Sequence, residues 1–137
     1  MDQSNLKRRS HCAYSLNYHL VLVTKYRRRC LSDAMLKVVE DSAKQRCEAR
    51  DGDLLEINGE ADHVHLLISL PPHVALSEYV NALKTNTARV LRRDFKTALA
   101  RFYSEPVLWS RSYCALSVGG APLEVLKRYI EQQDRPH

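Results

Sequence analysis

The sequence predicts an α+β domain of the ferredoxin-like, split βαβ kind: an antiparallel sheet with two helices on one face, plus a C-terminal helix. Three observations predict it. The apolar residues switch between two-residue and 3.6-residue periods in the order strand, helix, strand, strand, helix, strand, helix. Prolines and glycines punctuate those segments at Gly52, Pro71-Pro72 and Gly119-Gly120. The length, 137 residues, suits one domain over 1–137 with a single core and no linker or repeat.

Tyr14 to Thr24 is apolar, aromatic and β-branched, the composition of a buried strand, and a basic run follows it. From Ser32 or Asp33, a suitable N-cap, residues Met35, Leu36, Val39, Ala43 and Cys47 recur at helical spacing to Arg50, with Gly52 as the stop. Leu55 and Ile57 alternate with polar neighbours up to Asn58-Gly59, and a second apolar run starts at His63, so the two form a hairpin. Pro71-Pro72 ends it, because proline lacks the N–H that a sheet ladder needs. Leu76, Val80, Leu83, Val90 and Leu91 then stripe one side of a helix over Leu76 to Phe95. Lys96 to Ser110 reads as irregular, Ser112 to Val118 as the fourth strand, and Leu123 to Gln133 as a last helix with Pro122 in its first turn. In this arrangement one sheet face stays uncovered by the two main helices.

Composition narrows the function. Apolar residues at 45% and charged residues at 27% are those of an ordinary soluble domain. Cys12, Cys30, Cys47 and Cys114 are far apart with no Cys-x-x-Cys pair, which argues against a cysteine zinc site and a disulfide framework. No apolar run approaches the roughly 18 residues of a bilayer span, and Met1 to Ser10 carries no signal-peptide pattern, so a cytoplasmic setting is expected. The net charge of +5 is concentrated in Lys25-Tyr26-Arg27-Arg28-Arg29, in Arg89, Arg92, Arg93 and Lys96, and in Lys7, Arg8 and Arg9. Such clusters suit phosphate contacts, with a ring available to stack on unpaired bases; a solvated basic face explains the charge equally well.

The chemistry centres on Asp62-His63-Val64-His65-Leu66-Leu67-Ile68. In a strand, His63 and His65 project from one face about 6 to 7 Å apart, while Val64, Leu66 and Ile68 point to the other. Two adjacent imidazoles can share a metal ion. On the last helix Tyr129 and Gln133 are four residues apart and so share a face. A glutamine oxygen beside two imidazoles makes a mixed nitrogen and oxygen site that favours Mg²⁺ or Mn²⁺ over structural zinc. A bound divalent ion would make a phosphodiester more open to attack by the Tyr129 phenol, a weak nucleophile at its ordinary pKa. On spacing alone, a half-buried helix tyrosine and a solvated glutamine are the simpler reading, favoured over nucleophile and ligand.

Taken together, Tyr18-His19-Leu20-Val21, Thr24-Lys25-Tyr26-Arg27, the His-x-His strand, Leu76 to Leu91, Trp109 with Tyr113, and Tyr129-Ile130-Glu131-Gln132-Gln133 resemble the single-tyrosine HUH transposases of the smallest insertion sequences, the TnpA type. The resemblance spans nearly the whole chain in order. It implies His63, His65 and Gln133 as metal ligands and Tyr129 as the nucleophile that makes a 5′-phosphotyrosine link. It further implies a homodimer with active sites completed in trans, Gly119-Gly120 as the hinge of the tyrosine helix, and single-stranded DNA hairpins as the partner. Lys25, Arg27, Arg28, Arg29, Lys84 and Arg89 are the hairpin-contact candidates. Cys114 beside Tyr113 departs from the pattern, where a second aromatic is expected. Three rival readings stand beside this one: a domesticated relative cutting chromosomal palindromic repeats, a non-catalytic nucleic-acid-binding module, and a histidine-metal hydrolase in which water attacks.

Overall fold

A computed structural model describes residues 15–117 of the chain. Seven strands and α-helices follow in order: β1 (Leu16–Thr24), α1 (Asp33–Glu48), β2 (Asp53–Gly59), β3 (His63–Leu70), α2 (Leu76–Asp94), α3 (Lys96–Ala100) and β4 (Trp109–Ser117), with a 3-10 turn over Lys25–Arg27 after β1. The four strands form one antiparallel sheet in the order β2-β3-β1-β4, the split βαβ topology predicted from the alternating periods. The segment expected to form the final helix, with Tyr129 and Gln133, lies outside the described residues, as do Gly119-Gly120 and Lys7 to Arg9.

Helix α1 begins where Ser32 accepts a hydrogen bond from the Met35 backbone N–H at 3.2 Å, a side-chain N-cap. Its buried face is Met35, Val39, Ala43 and Cys47, one residue per turn. The helix ends differently from the expectation. Asp51, with φ 59°, takes the left-handed conformation, and Gly52 serves another need. A Cβ on Gly52 would lie 2.4 Å from the Ser69 carbonyl oxygen and 2.9 Å from a Leu70 methyl, so the glycine permits close approach to β3.

In β2 the register shifts between Leu54 and Glu56. The bulge at Leu55 lets Leu54 and Ile57 both pack on the core, where strict alternation had paired Leu55 with Ile57. Helix α2 buries Val80, Leu83 and Leu91 as the stripe requires, together with Tyr79 and Thr87, whose hydroxyls find partners. Tyr79 donates to the Ala43 carbonyl at 3.0 Å, linking the two main helices, and Thr87 donates to Leu83 at 2.7 Å while accepting from the Trp109 indole at 2.8 Å. That indole bond and the burial of Trp109 start β4 three residues before the expected Ser112. The segment read as irregular contains the short helix α3, held by burial of Leu99. The core lies between α1, α2 and the sheet face formed by Leu20, Leu22, Val64, Leu66, Ile68 and Leu70.

Candidate active site

Strand parity decides which face each functional side chain occupies. In the β1–β3 register Val23 pairs with His63, Val21 with His65 and His19 with Leu67. The even-numbered residues of β3 enter the core, so His63 and His65 lie on the opposite face, as the alternation predicts. That face is not open at its centre. His65 is only 2% exposed and Leu67 is fully buried. In the sheet His65 is flanked by Val21 on one side and Asn58 on the other, and the rings of His19 and His63 lie against its own.

Three imidazoles meet there. His63 and His65 stand edge to face with ring centres 4.8 Å apart, and His65 stacks on His19 at 5.5 Å. Nε2 of His19 lies 3.2 Å from Nδ1 of His65, and Nδ1 of His63 lies 2.8 Å from an Asp62 carboxylate oxygen. Each histidine of the His-x-His pair thus has its Nδ1 engaged by a neighbour, which assigns Nε2 as the nitrogen that would meet a metal. For His65 this requires the proton on Nδ1, donated to Nε2 of His19. The donor set fits a divalent ion bound by two neutral imidazoles. The described residues contain no group of three or more His, Cys, Asp or Glu suited to a metal, and the expected third ligand, Gln133, is of another type and lies outside them.

Asp62 connects this site to the basic run. Its other carboxylate oxygen lies 3.4 Å from the Arg27 guanidinium, forming a chain Arg27–Asp62–His63. Burial would raise the Asp62 pKa, but the hydrogen bond from His63 and the Arg27 guanidinium outweigh it and hold the carboxyl below its ordinary value. Neither His19 nor Asp62 was assigned a role from sequence. The signal for His19 was present: antiparallel pairing with β3 puts it diagonally beside His65 on the same face.

The cationic candidates separate into distinct surroundings. Lys25 and Arg28 flank the Tyr26 ring at 5.6 and 5.5 Å, while Arg29 is exposed beyond them. Lys84 turns inward, donating to the Ser110 and Arg111 carbonyls of β4 at 2.7 and 3.2 Å, and burial lowers its pKa. Arg89 is exposed on α2, remote in sequence from the β1 exit, in a groove with Arg92, Arg93 and Lys96. Four tyrosines have structural surroundings. Tyr18 and Tyr113 pack on the core, Tyr79 is fully buried with its phenol pKa pushed far up by burial, and Tyr103 is buried with its own pushed up to about 12.

The fold and site together are those of an α+β domain of the split βαβ class with a His-x-His pair on an interior strand of its sheet. A family profile described as "Transposase IS200 like" matches residues 12–133, and the chain belongs to that family of single-tyrosine transposases. The ISDra2 transposase TnpA of Deinococcus radiodurans is 30% identical over 120 residues, covering 88% of this chain and 85% of that protein. The transposase of insertion sequence element IS200 from Salmonella typhimurium is 28% identical over 124 residues, covering 90% and 80%. Among solved structures, a Deinococcus radiodurans R1 protein described as a transposase candidate superposes with a TM-score of 0.69 at 30% identity, covering 90% of this chain and 95% of that one. A REP-associated tyrosine transposase bound to a REP hairpin shares the fold, with a TM-score of 0.57 at 13% identity over 88% of this chain and 64% of that one.

Proposed function

We propose that this transposase is a metal-dependent enzyme that cleaves and rejoins single-stranded DNA at hairpin-bearing element ends through a 5′-phosphotyrosine on Tyr129. His63, His65 and Gln133 hold Mg²⁺ or Mn²⁺, which when bound supplies Lewis acidity to the scissile phosphate. The Tyr129 phenolate oxygen bonds to phosphorus, the bond to the 3′ oxygen breaks, and a free 3′ hydroxyl leaves with a proton from solvent. Attack by such a hydroxyl on the phosphotyrosine reverses the step and joins strands, with no energy-rich cofactor needed.

The observation that carries this reading is the paired imidazole geometry, with His65 oriented by His19 and His63 by Asp62. The structural occupations of Tyr18, Tyr79, Tyr103 and Tyr113 further support Tyr129 as nucleophile. Hairpin DNA as substrate draws support from the REP-associated neighbour, whose structure holds a hairpin. The insertion-sequence relatives, at 28% and 30% identity, favour element ends over the chromosomal repeats of a domesticated enzyme. The proposed protein is a cytoplasmic homodimer in which the tyrosine helix of one protomer completes the site of its partner.

The test is a denaturing gel of labelled single-stranded hairpin DNA incubated with the protein and Mg²⁺ or Mn²⁺. A covalent protein–DNA adduct is expected at the 5′ end of one product, absent with Tyr129→Phe. Cleavage with no adduct would instead establish a hydrolase, and binding without cleavage a passive module.

A further inference from the structure

The turn that leaves β1 is strained in a way a strand end does not require. Tyr26, with φ 58° and ψ 16°, and Arg27, with φ 53°, occupy the left-handed region in succession. For a bulky residue that conformation is an outlier costing about 1 kcal/mol or more, and it persists only where the surroundings impose it. Here they do. The Lys25 N–H donates to the Leu108 carbonyl at 2.8 Å, the Tyr103 hydroxyl donates to the Lys25 carbonyl at 2.7 Å, and Arg28 donates to the Phe102 carbonyl at 2.6 Å.

The outcome of that strain is the display of one ring. Tyr26 is 64% exposed, the most exposed large apolar side chain among the described residues, and it sits between the Lys25 ammonium and the Arg28 guanidinium. Arg27, one residue on, turns back to Asp62 and so toward His63. On the other side Arg28 also lies 5.9 Å from the Tyr103 ring, and Tyr103 lines an open groove of about 580 Å³. Arg89, Arg92, Arg93 and Lys96 line the same groove, with Glu105 as its one lining carboxylate among the described residues. Arg92 is tied to the Pro106 carbonyl and Arg93 to Asp94, whereas Arg89 and Lys96 form no ion pair among the described residues.

An exposed ring between two cations, leading into a groove of four more, matches what an unpaired nucleotide offers: a π face and a chain of phosphates. We propose that Tyr26 is a stacking platform for one unpaired base of single-stranded DNA, whose backbone continues past Arg28 into the Arg89–Lys96 groove. This rests on the DNA-cleaving reading and adds a binding track outside the histidine site. It places the stacked nucleotide one residue from the Arg27–Asp62–His63 chain, so strand recognition and the reaction site share the β1 exit.

Fluorescence anisotropy with labelled oligothymidine tests it, using Tyr26→Asn and Tyr26→Phe. Asparagine tolerates the left-handed conformation, so the first variant removes the ring and keeps the turn. Tyr26→Asn should weaken binding about 5-fold or more, and Tyr26→Phe should bind like the unaltered protein. The Arg89→Ala and Lys96→Ala variants should each flatten the slope of log affinity against log salt by about 0.7. A 2-aminopurine placed within the strand should be quenched by the unaltered protein and by Tyr26→Phe, and not by Tyr26→Asn. Equal affinity for Tyr26→Asn, or an equal loss in Tyr26→Phe, overturns the platform. Adduct formation by the unaltered protein is scored in parallel: an adduct with no effect at Tyr26 fails the platform alone, and no DNA binding at all fails both readings.

Discussion

His19 on β1 orients His65 on β3: the nitrogens facing each other are 3.2 Å apart and the rings stack at 5.5 Å. With the His65 proton held on Nδ1 toward His19, the other nitrogen carries the lone pair that a metal needs. His19→Phe keeps a stacked ring and removes the acceptor. It should lower Mn²⁺ affinity about 10-fold or more, read by metal titration, while the fold remains intact. Unchanged affinity would assign His19 to packing alone.

The Asp62–His63 bond should be visible in the acid limb of stability. Asp62 has its folded pKa depressed, so its contribution is present above the unfolded carboxylate pKa and disappears as pH falls through the folded value. Asp62→Asn should therefore destabilise the domain near neutral pH, and the difference from the unaltered protein should close toward strongly acidic pH. Urea unfolding across a pH series measures this; a constant offset at every pH would contradict the charge-based account.

Gly52 is required by contact and not by conformation. Gly52→Ala drives a methyl against the Ser69 carbonyl and a Leu70 methyl, and should destabilise the domain by about 1 to 3 kcal/mol. Replacing Asp51 with glycine should instead be neutral or stabilising, because its left-handed φ of 59° suits glycine. Denaturant midpoints distinguish the two positions directly.

Tyr79 and Tyr129 should separate structure from chemistry. Tyr79→Phe removes the hydrogen bond to Ala43 and the acceptor of the Cys47 thiol, whose pKa burial raises to about 11. A loss of about 1 to 2 kcal/mol in unfolding free energy is expected, with covalent adduct formation retained. An adduct abolished in folded Tyr79→Phe protein would move the nucleophile assignment away from Tyr129.

Elements with a strong period were legible at once. Met35, Val39, Ala43 and Cys47 mark α1 because one face must be apolar wherever a helix covers a sheet, and Val64, Leu66 and Ile68 mark β3 for the same reason at period two. The bulge at Leu55 was not legible, since one inserted residue breaks alternation without any distinctive side chain. Helix α3 has no signature in the sequence because five residues are too few to show a period.

The sequence by itself determined the split βαβ order and the common face of His63 and His65, both consequences of local periodicity. Only the tertiary structure decided that His19 meets His65, that Asp62 bridges His63 to Arg27, and that Tyr26 is held outward in a left-handed turn. Those relationships depend on strand register and on contacts such as Tyr103 to Lys25, made between residues far apart in the chain. Periodicity says which face a side chain occupies; the register of the neighbouring strand says what it meets there.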